Sequence, residues 1–263
     1  MDLALRDRFT EYWKKYFGET GLPIVFFYSD AVTSAEAAPR AEKWNCFIGS
    51  LAQVKRGKSL SFDAASVGCS GGKRYLGFGR KLRPGFEYFL SCGNQEMEGE
   101  RYLRTPAQVE KFLKDAPFEA APASHIVFRR WDMLEENDEP EVVIFFAKPD
   151  VLSGLFTLAG FDRDDMQGTI APFGSGCASI VQYPLAESKN EKPRAVLGMF
   201  DVSARPFVME NELTFAIPMN RFTEMVHYMD ETFLTTHAWE KVRERINRSA
   251  GKEQNPGSSA GLF

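Results

Sequence analysis

This chain has no excess of positive charge and few histidines and cysteines, and each of these excludes something. Of 263 residues, 32 are Lys or Arg against 36 Asp or Glu, giving a formal net charge of −4. A nucleic-acid surface needs a basic stripe to displace counterions, so no nucleic-acid partner is expected. No apolar run reaches the roughly 18 residues of a membrane-spanning helix. The opening residues, Met1-Asp2-Leu3-Ala4-Leu5-Arg6-Asp7, lack the apolar core of a secretion signal. These absences predict a cytoplasmic protein without a membrane partner. Thiols stay reduced in that compartment, so the 4 cysteines read as free thiols or ligands rather than as disulfides.

The diagnostic catalytic and metal motifs are missing as well. There is no P-loop, no H-E-x-x-H, no G-x-S-x-G and no closely spaced cysteine pair. The only histidines are His125, His227 and His237, and nothing in the sequence ties any of them to a cysteine. No reaction can therefore be assigned from motifs.

What the chain has in quantity is phenylalanine, 23 of them, within a composition that is 44% hydrophobic. Such a balance builds a sizeable, aromatic-rich core without disulfide staples. Leu5, Phe9, Trp13 and Tyr16 recur at helical spacing and predict a helix over 3–17, stopped by Gly18. Buried strands are expected at 23–28, 125–131, 141–147, 194–200 and 212–217. Further helices are expected at 44–54, from Thr105-Pro106 to about 114, at 149–159, from 177 to about 186, at 218–229 and at 236–247. Strand, proline and helix follow one another twice, at Ala147-Lys148-Pro149 and at Ile217-Pro218. Neighbouring runs in sequence (125–131 with 141–147, and 194–200 with 212–217) suggest antiparallel pairs. The expected class is α+β, a mixed and largely antiparallel sheet with flanking helices. A single domain is expected over 1–248, followed by a disordered Gly/Ser-rich tail over 249–263.

The cysteines are the feature most suggestive of chemistry. Cys69 lies in Gly68-Cys69-Ser70-Gly71-Gly72, Cys92 in Ser91-Cys92-Gly93, and Cys177 in Gly174-Ser175-Gly176-Cys177; Cys46 lies in Trp44-Asn45-Cys46-Phe47. Four thiolates suit zinc or an iron–sulfur cluster, and glycines free backbone N–H groups for the sulfurs. Cys46, Cys69, Cys92 and Cys177 form the candidate metal set. Cys177, at an inferred helix N-terminus, and Cys69, near Lys73 and Arg74, are also candidates for a lowered thiol pKa. Arg205, between two strands, is a candidate for binding a carboxylate or phosphate. The short basic clusters Lys55-Arg56-Gly57-Lys58, Lys73-Arg74 and Arg80-Lys81 read as solvated loop charge or as a local anion site.

These motifs together resemble a known family. Cys69-Ser70-Gly71-Gly72 followed by Tyr75-Leu76-Gly77-Phe78 is similar to the Cys-Pro-Gly-Gly and Leu-Gly element of the uncharacterised family called "domain of unknown function 169". The resemblance continues through Val143 to Pro149, through Gly176-Cys177-Ala178, and through Arg205 with Glu212 to Pro218, covering roughly residues 20–230. Ser70 stands where the family often has proline. The resemblance implies a prokaryotic cytosolic protein with no assigned reaction, and it places Cys46, Cys69 and Cys177 at cysteine positions of the family.

The expectation is a protein that binds a small ligand or a metal or iron–sulfur centre at its glycine–cysteine loops. The ligand-site candidates are Cys69, Gly71, Gly72, Gly176, Cys177 and Arg205. The alternative is a structural or protein-interaction module whose cysteines are buried and unreactive.

Overall fold

The computed structural model describes residues 1–254, with side chains through Ala250. Its spine is an eight-stranded sheet made of β1 (Ile24–Ser29), β2 (Glu36–Ala37), β3 (Leu60–Phe62), β4 (His125–Arg130), β5 (Val142–Ala147), β6 (Thr169–Ile170), β7 (Ala195–Gly198) and β8 (Leu213–Pro218). The order across it is β2-β3-β4-β1-β5-β8-β7-β6. The two edge pairs, β2 with β3 and β6 with β7, are parallel and every other pair is antiparallel. This is the mixed, largely antiparallel sheet of an α+β protein.

Helices cover both faces. One face carries α1 (Leu3–Phe17), α6 (Pro149–Gly160), α9 (Met219–Tyr228) and α10 (His237–Gln254). The other carries α2 (Phe47–Lys55), α3 (Ser70–Tyr75), α7 (Gly176–Ile180) and α8 (Gln182–Glu187). Two further helices, α4 (Phe86–Phe89) and α5 (Pro106–Asp115), pack against each other. Because side chains alternate along a strand, Val25, Val143, Phe145, Phe215 and Ile217 enter the first core. Ile24, Phe26, Val142, Ile144 and Ala216 enter the second. Burial on both faces explains why the central strands are apolar without alternation.

The helix ends follow their local chemistry. Asp2 caps α1 by accepting from the N–H groups of Ala4 and Leu5, and Gly18, at φ 68°, ends it with its N–H on Lys14 O. Thr105 and Gln108 form a reciprocal capping box at α5, with Pro106 in the first turn. The aromatic core is built around Phe9, which packs against Trp13, Trp131, Phe145 and Phe222.

Four expectations need correction. The strands at 125–130 and 142–147 are not partners: β1 lies between them and pairs antiparallel with each. The ladders continue past both strands on opposite edges of β1, where Trp131 N–H donates to Pro23 O and Glu141 N–H to Phe26 O. The expected helix over 177–186 is broken at Val181 (φ −122°, ψ −68°) into α7 and α8. The helix expected from Trp44 begins at Phe47, leaving Cys46 as its N-cap. Finally, α10 runs on to Gln254, so the first six positions of the expected tail, 249–254, are helical; positions 255–263 lie outside the described residues. The pair β7–β8, by contrast, is antiparallel as expected. No helix among the described residues is long and apolar enough to cross a membrane.

Candidate functional site

Three of the four cysteines come together on the face covered by α2, α3 and α7. Each is delivered by the start of a helix. Cys46 is the N-cap of α2; the N–H groups of Ile48 and Gly49 point at its sulfur without closing a cap hydrogen bond. Cys69 is the N-cap of α3, and its Sγ accepts the N–H of Gly72 at 3.2 Å. Cys177 is the second residue of α7, whose cap is Ser175, with Oγ accepting from Ala178 N–H at 3.1 Å.

Glycines hold these loops close. A Cβ on Gly72 would lie 2.8 Å from Cys69 Sγ and from Val67 Cγ1, and 3.4 Å from Phe47 Cβ. A Cβ on Gly176 would lie 2.8 Å from Met199 Sδ, 3.1 Å from Ala204 Cβ and 3.5 Å from Ile48 Cγ1. The Cys69 loop is also pinned to the Cys46 loop: Gly68 N–H donates to Asn45 Oδ1 at 3.1 Å. Gly72 and Gly176 are thus packing positions within the site, while Gly71 faces open space.

A fourth segment closes the group. After β7 the chain turns through Met199, a buried non-glycine residue at φ 69°, whose N–H donates to Ser179 Oγ at 3.3 Å. A left-handed methionine costs of order 1–3 kcal/mol and persists only where its surroundings hold it. Asp201 follows. Its Oδ2 accepts from Gly176 N–H at 3.1 Å, and its Oδ1 from the N–H and hydroxyl of Ser203.

The charges in this group act on one another. Burial pushes the Cys177 thiol well above its ordinary pKa, and Cys69, Cys46 and Asp201 push it further the same way. Burial also raises Cys46, against the pull of the Ile48 and Gly49 N–H groups, with Cys69 and Asp201 adding to the rise. The hydroxyl of buried Tyr75 is raised by burial and lowered by Arg74, and it senses Cys177 and Asp201 as well. This overturns the expectation that the start of α7 favours a Cys177 thiolate. A five-residue helix supplies too little field to offset burial beside two thiols and a carboxylate.

The other candidates lie elsewhere or do something else. Cys92 is exposed, its Sγ turned to Gly93 O at 3.4 Å, and it is not among the leading influences on Cys46 or Cys177. Cys92 therefore stands apart from the other three cysteines. Among the described residues, no group of three or more His, Cys, Asp and Glu side chains is placed to hold a metal ion. Arg205 spends its guanidinium on the backbone carbonyls of Met209, Glu210 and Glu212, so it clamps the turn before β8 rather than facing a ligand.

Clefts of about 520 Å³, lined by Trp13, Phe145, Asp150, Glu212 and Arg245, and of about 260 Å³, lined by Phe156, Leu197 and Phe215, contain no cysteine. Exposed apolar side chains lie in the segments that form the site: Trp44, Phe200, Val202, Phe207 and Met209. Trp44 and Phe207 meet edge to face, with centroids 6.3 Å apart. Asp201 and Met199 belong to no catalytic or binding motif in the sequence, and Tyr75 stands there only as part of the Tyr75-Leu76-Gly77-Phe78 element. The only local signal was Asp201-Val202-Ser203, an Asp-x-Ser turn signature directly after a strand.

Comparison with known proteins adds one match. The model of the DUF169 family, described as uncharacterised ArCR, matches residues 22–227, which include all four cysteines. No curated protein and no solved structure matches the chain.

Proposed function

We propose that this chain, which belongs to the DUF169 family, binds an iron–sulfur cluster through Cys46, Cys69 and Cys177. One observation carries the reading: three segments distant in sequence bring Cys46, Cys69 and Cys177, each at the start of a helix, against one and the same core cluster. Left to themselves, the Cys46 and Cys177 thiols resist ionisation, because burial and the neighbouring charges oppose it. Bound iron supplies the positive charge that converts such thiols into thiolate ligands. Backbone N–H groups directed at the Cys69 and Cys46 sulfurs are the kind of donor that sets a cluster's reduction potential.

A polynuclear centre suits the arrangement better than a single ion such as zinc, which no group of His, Cys, Asp and Glu side chains among the described residues is placed to hold. Each thiolate in a cluster binds its own iron, so the ligands stand further apart than around one ion. A four-thiolate zinc site would also need Cys92, which is on the surface. Three cysteine ligands leave one iron of a four-iron cluster open to a non-cysteine ligand.

Anaerobic reconstitution with iron and sulfide tests this. The expected result is a brown protein with about four irons and four sulfides per chain. Serine at position 46, 69 or 177 should reduce that content sharply, while Cys92→Ser should leave it unchanged. A colourless, iron-free product, or equal losses in all four variants, would overturn the reading in favour of buried structural thiols.

A further inference from the structure

Three arginines of this protein are at least nine-tenths buried, and only two of them have acidic partners. Arg129, 1% exposed, pairs with Glu135 and Asp138. Arg221, 3% exposed, pairs with Asp162 and Glu224. Arg74 in α3 is 5% exposed and has no carboxylate within ion-pair distance among the described residues. A terminal nitrogen of Arg74 donates to the backbone O of Arg80, and the Arg74 Nε is buried without a hydrogen-bond partner. A buried guanidinium without a counter-charge is costly.

Aromatic faces offset only part of that cost: the Arg74 guanidinium carbon lies 5.1 Å from the centroid of Phe118 and 5.8 Å from that of Tyr75. A second cation, Arg80, lies 5.2 Å from the same Phe118 ring. Glu119, next in sequence to Phe118, is engaged with Lys189 at 2.6 Å. Two guanidinium groups therefore share one aromatic ring with no acid to separate them. Arg80 is exposed and marks the open side. Tyr75, adjacent to Arg74, borders the cysteine group on its other side.

We propose that Arg74, assisted by Arg80, is the anchor for an anionic group of a ligand, a carboxylate or a phosphate, held at the border of the three-cysteine site. Both anions match the planar fork of a guanidinium. The proposal rests on Arg74 and its neighbours and does not depend on what the thiols bind.

The test uses the metal-free full chain, so that it reads separately from cluster binding. Melting temperature is followed with rising inorganic phosphate in one arm and rising succinate in the other, ionic strength being held constant with chloride. In the wild type at least one probe should raise the melting temperature in a saturable way, and the responding arm identifies the class of anion. Arg74→Met should melt higher than the wild type in chloride alone, since it removes an uncompensated buried charge, and should not respond to the probe. Arg74→Lys keeps the charge but loses the fork, and should bind the probe at least tenfold more weakly. The proposal is overturned if neither probe stabilises the wild type, if the Arg74 variants respond as the wild type does, or if Arg74→Met melts lower in chloride.

Discussion

Asp201 accepts the backbone N–H of Gly176 at 3.1 Å, and so fastens the loop after β7 to the residue that precedes Cys177. The same carboxylate holds Ser203 through its other oxygen. A negative charge placed in this way both orders the site and opposes ionisation of the thiols beside it.

Asp201→Asn separates the two effects. Asparagine keeps an oxygen that can accept from Gly176 N–H, but it carries no charge. Asp201 raises the pKa of Cys46, so its neutralisation should lower that pKa. Cys46 is partly exposed. The pH profile of its alkylation, followed by mass spectrometry, should move to lower pH in Asp201→Asn. An unchanged profile would show that the carboxylate acts on Cys46 only through structure.

Cys177 makes the stability of the metal-free protein pH-dependent at the alkaline end. Its folded pKa lies well above the ordinary thiol value, which is about 8.5 in an unfolded chain. Above that pH the unfolded chain has lost a proton that the folded chain retains. The contribution of Cys177 is therefore fully present below about pH 8.5 and is lost as pH rises toward the folded pKa, by at most about 1.4 kcal/mol per pH unit. Urea midpoints at pH 7.5, 8.5 and 9.5 should decline for the wild type and decline less for Cys177→Ala. Parallel declines would remove Cys177 as the cause.

The local elements were legible because their signals are local. Asp2 and Gly18 bound α1, Thr105 and Pro106 open α5, and a proline follows β5 while another is the last residue of β8. Long-range placement was not legible. Nothing near 125–147 announces that β1, about a hundred residues earlier, separates β4 from β5. Glycines flank Cys69 and Cys177, which the fold brings to one face, but they flank Cys92 equally, although it lies apart on the surface. The direction of the Cys177 shift depends on burial, which a helix-start motif does not reveal. Asp201 carries no motif beyond a common turn.

Arg205 provides a negative control for ligand binding. Its guanidinium ties down three carbonyls between Met209 and Glu212, just before β8. Arg205→Ala should lower stability by about 1–3 kcal/mol, since charged hydrogen bonds to partly exposed carbonyls are lost. Lysine should not rescue it, because one ammonium cannot reproduce the fork. Iron uptake per folded chain should be unchanged. A variant of normal stability with impaired uptake would return Arg205 to the binding site.

Two adjacent glycines should behave in opposite ways. Both lie in the first turns of α3, where alanine is intrinsically better than glycine by roughly 0.5–1 kcal/mol. At Gly71 nothing lies within 4 Å of an added Cβ, so Gly71→Ala should be neutral or stabilising by that amount. At Gly72 the same methyl would come within 2.8 Å of both Cys69 Sγ and Val67 Cγ1. Val67 is buried and cannot retreat, so the sulfur must move or α3 must shift. Overpacking of this kind costs typically 1–3 kcal/mol, and it would also displace Cys69 from Gly72 N–H. Gly72→Ala should therefore lower the urea midpoint and impair iron uptake, while Gly71→Ala does neither. Equal behaviour of the two variants would mean that the Cys69 loop adapts freely, and that Gly72 does not set the position of its thiol.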